Sequence, residues 1–209
     1  KAEQQALQQK LYQATTPDEV HAKFLAALEQ IPTAKGVILG APSDVGAGFS
    51  RGANLGPQAI RTRLLEDRPG WADELASLGI VDAGDVFVVP QLLHDEMNSA
   101  AQQEASRKAL YPQLSPSEAA TLPVSPLSIA ERAWDLIFGL NPTCMPFVMG
   151  GDHSNALPVT LAMARARKEP WGIVQPDAHT DLLSERLGVK YCFATWSWHA
   201  NEALGRKGR

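Results

Sequence analysis

The chain has 209 residues, of which 44% are hydrophobic and 20% charged, and its formal net charge is −4 at pH 7. This length fits one domain with a sizeable core, and the charge offers no basic surface for nucleic acid or an anionic membrane. No apolar run approaches the ~20 residues of a membrane-spanning helix, and the first residues do not have the pattern of a signal-peptide h-region. We therefore expect a cytoplasmic globular protein with no nucleic acid or membrane partner.

The first 30 residues predict a helical extension. They are rich in Ala, Gln, Leu and Glu, and Thr16 followed by Pro17 fits a helix N-cap and a first-turn proline. The helix is expected to continue to Leu28. We divide the chain into an N-terminal helical extension, 1–30, that serves packing or subunit contact, and one domain, 31–209.

A glycine-rich loop follows the first predicted strand, Gly36 to Gly40. The loop runs from Ser43 to Gly56, and Pro57 then opens a helix. The loop lacks both the G-x-x-x-x-G-K-[ST] and the G-x-G-x-x-G pattern, so a nucleotide site is a weak interpretation. A solvated surface and a rim that touches substrate through Asp44 are both open.

Further strands and helices alternate along the chain, which predicts a three-layer α/β/α, doubly wound parallel sheet. The region between Pro90 and Pro123 is expected to be a connecting segment. The remaining predicted elements are a strand region from Leu78 to Val89, a helix from Ser125 to Gly139, a strand from Pro146 to Met149, a helix from Ala156 to Arg167 and a strand from Trp171 to Gln175.

Two of these strands end in dense clusters of Asp and His. FVMGGDHS at 147–154 carries Asp152 and His153, and WGIVQPDAHTDL at 171–182 carries Asp177, His179 and Asp181. Carboxyl ends of parallel strands open into one crevice, so these side chains are expected to meet.

The spacing of the second cluster predicts a metal site. In an extended chain the residues Asp177, His179 and Asp181 project to the same side. Mixed carboxylate and imidazole ligands suit Mn, Fe, Zn or Ni better than Ca or Mg. The alternative is a surface turn of solvated charges, with Asp177 capping a helix.

Three motifs resemble those of the ureohydrolase superfamily, which includes arginase, agmatinase and formimidoylglutamase. They are Gly150-Gly151-Asp152-His153-Ser154, Asp177-Ala178-His179-Thr180-Asp181, and the segment Gly36 to Arg61 that ends in Gly-Pro-x-x-Ile-Arg. The resemblance covers about Lys35 to Ala200 and implies an arginase-like fold. It also implies that Asp82 and Asp85 are structural, hydrogen-bonding acids rather than metal ligands.

The resemblance implies two Mn²⁺ ions per chain, with Ni or Zn in some relatives. His153 would bind the first ion, His179 the second, and Asp177 both. Asp181 would bind the first ion and orient the bridging solvent, which makes it catalytic. Residues expected to support the ligands or to line the substrate rim are Asp152, Ser154, Asp44 and Asn201.

His199 is the candidate for the histidine that ureohydrolases carry after the second motif, where it acts as an acid or proton shuttle. In this chain Ala200 follows it, where the family usually has Gly. The alternative is a histidine held among the aromatic rings of Phe193, Trp196 and Trp198.

One family motif has no counterpart. Ureohydrolases complete the metal site with a later Ser-x-Asp-x-Asp-x-x-Asp-Pro motif, whereas this sequence has no Asp after Asp181. We expect the fold to be incomplete at the C-terminus and the 209 residues to be the front part of a longer protein. The alternative is a degenerate, non-catalytic subunit that serves as an assembly partner or regulator.

The expected activity is hydrolysis of a C–N bond in a linear amidine or guanidine, with release of urea, through a metal-bridging hydroxide. The segment Gly52 to Pro57 favours an agmatinase-like substrate. A formimidoylglutamase, a small-guanidine hydrolase and a metal-dependent deacetylase are alternatives. Ureohydrolases form trimers or hexamers, so a homo-oligomer is expected.

Overall fold

A parallel sheet lies at the centre of the computed structural model, which describes residues 2–89 and 91–205. Its strands are β1 (Gly36–Ala41), β2 (Ile80–Asp85) and β3 (Met145–Gly150), in the order β2-β1-β3. Every residue of β1 is buried, as its continuous apolar sequence requires of a central parallel strand. The predicted α/β class is confirmed.

Helices surround this sheet in the described part of the chain. In that part of the chain, no helix combines the length and the hydrophobicity that a membrane-spanning segment requires. They are α1 (Ala2–Leu11), α2 (Pro17–Leu28), α3 (Gly56–Asp67), α4 (Trp71–Leu78), α5 (Ala100–Leu110), α6 (Pro116–Ala119), α7 (Pro126–Leu140), α8 (Ala156–Ala166) and α9 (Trp196–Ala203).

The start of α2 follows the sequence prediction. Thr16 accepts a hydrogen bond from the Glu19 N–H through its hydroxyl, and the Glu19 carboxylate accepts one from the Thr16 N–H in return. This reciprocal cap satisfies two N–H groups that the first turn leaves without partners. The proline at the first helical position, Pro17, has no N–H to satisfy.

Two hydrophobic clusters hold the helices to the sheet. The larger one joins β1, through Val37 and Leu39, to Trp134 and Phe138 of α7. The smaller cluster lies under α9 and contains Leu127, Leu157, Tyr191 and Trp196. The second cluster therefore fixes α9, which carries part of the candidate site described below.

The N-terminal helices pack onto the domain. The Tyr12 hydroxyl donates to the Asp82 carbonyl over 3.4 Å, and the ring of Phe24 meets that of Tyr12 edge-on. Burial raises the pKa of the Tyr12 phenol, so it stays a neutral donor. The extension covers β2 rather than standing apart from it.

The predicted strand from Trp171 to Gln175 is wrong. This segment has no ladder partner among the described residues, and Ile173 and Val174 are 44% and 91% exposed. A strand is stable only when a neighbouring strand pairs with its backbone groups, and hydrophobicity alone does not supply one. The apolar sequence of this segment indicated a strand, but no described strand pairs with it.

Arg61 of α3 ties the helix to the sheet. Its guanidinium contacts Asp82 through Nε and Nη2, each at 2.8 Å, and also binds the Asp85 carboxylate and the Gly84 carbonyl. The Arg61 and Asp82 side chains are only 3% and 5% exposed. The prediction that Asp82 and Asp85 are structural acids is confirmed by these contacts.

Replacement of Arg61 by Met tests this contact. It is expected to lower the free energy of unfolding by about 3–5 kcal/mol, because the Asp82 carboxylate would stay buried without a counter-charge. Urea denaturation followed by circular dichroism measures the change. Arg63, whose side chain is 72% exposed and pairs with Asp67, is the control. Arg63→Met is expected to change stability by less than about 1 kcal/mol, and an equal loss in both variants would contradict the assignment.

Candidate metal centre and adjoining cleft

His153, Asp177 and Asp181 converge beyond the carboxyl end of β3. The His153 Nδ1 atom lies 2.8 Å from Asp177 Oδ2 and 2.9 Å from Asp181 Oδ2. One ligand atom from each residue lies within 4.8 Å of the others. His153 comes from the turn that follows β3, and the two carboxylates come from the segment between α8 and α9.

The turn that carries His153 is fixed from behind by polar contacts. Asp152 Oδ1 accepts the Ser154 N–H at 2.8 Å, and the Asn155 amide donates to the Ser43 carbonyl at 2.9 Å. A Cβ atom on Gly151 would collide with that same carbonyl, so only glycine fits there. Burial raises the pKa of the Asp152 carboxyl, opposed by its hydrogen bonds to Ser154.

The Asp177–Asp181 segment bends instead of running extended. Asp177 Oδ1 accepts the His179 N–H at 2.8 Å, which closes a side-chain turn and lowers the pKa of the Asp177 carboxyl. Asp181 has a φ of +51°, in the left-handed region. Because the chain turns here, the alternation that would align His179 with its neighbours does not apply.

His179 lies outside the group of three. Its side chain is 82% exposed, and its Nδ1 atom lies 3.6 Å from Asp177 Oδ1. The structure thus brings together three of the four metal ligands that the resemblance implies. The role of His179 stays a prediction.

Gln175 and Trp196 hold the two carboxylates and were not singled out as partners of these ligands from the sequence. The Gln175 amide donates to Asp181 Oδ2 at 3.4 Å and to Asp177 Oδ2 at 3.5 Å. Trp196 Nε1 donates to Asp181 Oδ2 at 2.9 Å, in a buried position. The only sequence signal for Gln175 is a polar residue at the end of an apolar run.

The donor set fits a divalent transition metal. It combines one imidazole nitrogen with two carboxylates, which suits Mn, Fe, Zn or Ni and is unlike the all-oxygen shells of Ca and Mg. The Asp181 side chain is only 5% exposed, so burial strengthens its attraction for a cation. His153, Asp177 and Asp181 would hold such an ion.

A cleft of about 500 Å³ opens beside Asp177. Its wall contains Asp177 and the polar groups of Ser197 and Asn201, and no Lys or Arg among the described residues lines it. Further polar side chains in the lining are Gln175, His179 and Thr180, and its large apolar side chains are Trp171, Ile173, Leu182, Trp196 and Leu204. Asn201 therefore lines the cleft, and its role at the substrate rim stays a prediction.

Asp44 and Ser154 do not line this cleft. Asp44 is buried, and its carboxylate accepts a hydrogen bond from the Gly52 N–H at 2.6 Å, which fixes the glycine-rich loop. Gly52 has a φ of +119°, which only glycine adopts readily. Ser154 is 1% exposed and faces the interior behind His153. In this structure both residues shape the loops around the site.

His199 lies on α9 among aromatic rings. Its Nε2 atom is 2.8 Å from the Lys190 carbonyl, and its ring centroid lies 4.6 Å from that of Tyr191 and 4.9 Å from that of Trp198. It is not among the residues that line the cleft. Its role as an acid or proton shuttle stays a prediction.

Removal of the imidazole tests the metal centre. His153→Ala is expected to abolish measurable Mn²⁺ binding by isothermal titration calorimetry, because two neighbouring carboxylates then remain without the nitrogen ligand. His21→Ala is the matched control, since His21 is an exposed histidine of α2. Unchanged Mn²⁺ binding by His153→Ala would rule out this centre.

Most of the chain is similar to known proteins. Residues 34–208 match the sequence model of the Arginase family. The chain is 27% identical over 179 residues to the guanidinobutyrase of Pseudomonas aeruginosa, a match that covers 84% of this chain and 45% of that protein. It is 31% identical over 161 residues to the mitochondrial agmatinase of Gallus gallus, covering 75% of this chain and 38% of that protein.

The fold is also found in a solved structure. The proclavaminate amidino hydrolase from Streptomyces clavuligerus superposes with a TM-score of 0.57 and 24% sequence identity, covering 82% of this chain and 48% of that one. The matched part of the chain spans less than half the length of each of these three proteins. The resemblance to ureohydrolases drawn from the three sequence motifs is confirmed, and the chain belongs to the Arginase family.

Proposed function

We propose that the protein is a metal-dependent hydrolase that cleaves a C–N bond of a guanidine compound and releases urea. The observation that carries this proposal is the convergence of His153, Asp177 and Asp181, of which Asp177 lines a cleft with no lining Lys or Arg among the described residues. Membership of the Arginase family supports the same reaction class, since relatives are named agmatinase, guanidinobutyrase and arginase.

The proposed reaction adds water across the guanidine carbon. A divalent ion, when bound, supplies the Lewis acidity that brings the pKa of water toward neutrality. Asp181, fixed by Trp196, orients the attacking water and accepts its proton. The C–N bond to the alkyl chain then breaks, the departing amine takes up a proton, and urea is the second product.

The metal is proposed to be Mn²⁺, with Ni or Zn as alternatives, and two ions per chain form the complete site. The three converging residues account for one ion, and a second ion requires further ligands, of which His179 is one candidate. A cytoplasmic location and a trimeric or hexameric assembly belong to the same proposal. Light scattering coupled to size-exclusion chromatography measures the assembly.

The lining of the cleft favours a substrate without a carboxylate. A cationic guanidinium can pack against the ring of Trp171, which lines the cleft. A carboxylate on the same substrate would find no lining Lys or Arg among the described residues to pair with. Agmatine, which differs from arginine only in lacking the carboxylate, is therefore the proposed substrate type.

A metal-binding subunit without activity is the second candidate. The exposure of His179 favours it, because the described ligand set then serves one ion rather than two. Such a subunit would bind Mn²⁺ and release no urea from any guanidine.

Replacement of a proposed ligand tests the activity. With Mn²⁺ and agmatine, the protein is expected to release urea, and Asp177→Ala is expected to lose both Mn²⁺ binding and turnover because a carboxylate ligand is gone. Asp18→Ala, at an exposed position in the first turn of α2, is the matched control and is expected to keep both. Turnover by Asp177→Ala would refute the mechanism, and Mn²⁺ binding without urea release by the unaltered protein would favour the second candidate.

The substrate type is tested with a matched pair. The kcat/KM for agmatine is expected to exceed that for arginine by at least about tenfold, which corresponds to about 1.4 kcal/mol for a carboxylate left without a counter-charge. Equal kcat/KM values would contradict this account of the cleft.

A further inference from the structure

Trp196 contacts two of the three residues of the candidate metal centre. Its indole Nε1–H donates to Asp181 Oδ2 at 2.9 Å, and its ring lies over the His153 imidazole with centroids 4.9 Å apart and planes tilted by 42°. Trp196 is 3% exposed, and it is part of the smaller hydrophobic cluster with Leu127 and Leu157. A single side chain anchored in the core thus contacts both an imidazole and a carboxylate ligand.

The backbone of α9 reinforces this contact. The Trp198 N–H donates to the Asp181 carbonyl at 3.3 Å, and the Ser197 hydroxyl donates to the Thr180 carbonyl. Asp181 has the left-handed φ of +51°, a conformation that a non-glycine residue adopts only when its surroundings hold it there. The first turn of α9 supplies those surroundings.

The indole is chemically suited to this position. Its N–H only donates, so it cannot compete with Asp181 for a metal ion, whereas a histidine or carboxylate could. A hydrogen bond from a neutral donor fixes the rotation of the carboxylate and keeps the negative charge on it. The flat ring at the same time restricts the His153 imidazole.

The geometry points to Trp196 as a positioning residue of the metal centre, which sets its affinity for the ion by orienting Asp181 and His153 before the ion arrives. This inference rests on the metal dependence of the proposed function and is independent of which guanidine is the substrate. Hydrogen-bonding partners of metal ligands commonly change metal affinity by about 10- to 100-fold when they are removed.

A substitution that removes the N–H and keeps an aromatic ring tests the inference. Trp196→Phe is expected to raise the dissociation constant for Mn²⁺ by about 10- to 100-fold in isothermal titration calorimetry. Trp198→Phe, the same substitution two positions along α9, is the matched control, because the Trp198 side chain contacts His199 rather than a metal ligand. An Mn²⁺ affinity of Trp196→Phe equal to that of Trp198→Phe would overturn the inference.

A second measurement covers the case in which Trp196→Phe does not fold, as judged by circular dichroism. In the unaltered protein labelled with ¹⁵N-tryptophan, substoichiometric Mn²⁺ is expected to broaden the Trp196 indole resonance before that of Trp134, which packs in the larger cluster. Simultaneous broadening of both resonances, or none at saturating Mn²⁺, would overturn the inference. Both experiments measure metal binding and do not depend on urea release. A failure of the proposed hydrolysis would therefore be distinguished from a failure of this inference.

Discussion

The parallel pairing of β1 with β3 is the constraint on which the rest of the site depends. The two strands run in unbroken register from Gly36 opposite Met145 to Ala41 opposite Gly150. Because the last residues of the two strands lie opposite each other, the loop after β1 and the turn after β3 leave the sheet side by side. Ser43 and Gly151 then lie so close that no side chain fits between them, and this contact delivers His153 to the crevice.

The carboxylate half of the site has a different origin. Asp177 and Asp181 follow no strand among the described residues; they are placed by hydrogen bonds from Gln175 and from the first turn of α9. The sheet therefore fixes the imidazole, whereas a helix packed on a small hydrophobic cluster fixes the carboxylates. The two halves meet only if the smaller cluster holds α9 in its place.

The sequence predicted the parts of this arrangement that are local. Strands β1 and β3, the cap of α2 and the helices α3, α7 and α8 were visible in apolar runs, in proline positions and in capping residues. These features need only a short window of sequence. The meeting of His153 with Asp177 and Asp181 was predicted as well, although the strand that was expected to carry the two carboxylates does not form.

The parts that failed depend on contacts between distant segments. The stretch from Trp171 to Gln175 has the composition of a strand, but whether it becomes one is decided by a neighbour. The alternation of Asp177, His179 and Asp181 assumed an extended chain, and the side-chain turn of Asp177 overrode it. Trp196 lies fifteen positions after Asp181, in an aromatic run that predicts a core residue equally well, so its bond to the carboxylate was not predictable.

The open edge of the sheet has a consequence for handling the protein. Strand β3 has β1 on one side, and on its other side no described strand pairs with it. Met145 and Phe147 on that strand are 54% and 44% exposed, and the unpaired Ile173 and Val174 add further apolar surface. Unprotected edges of this kind are templates for strand addition between molecules. We expect the colloidal stability of the purified chain to be governed by that edge more than by its net charge of −4.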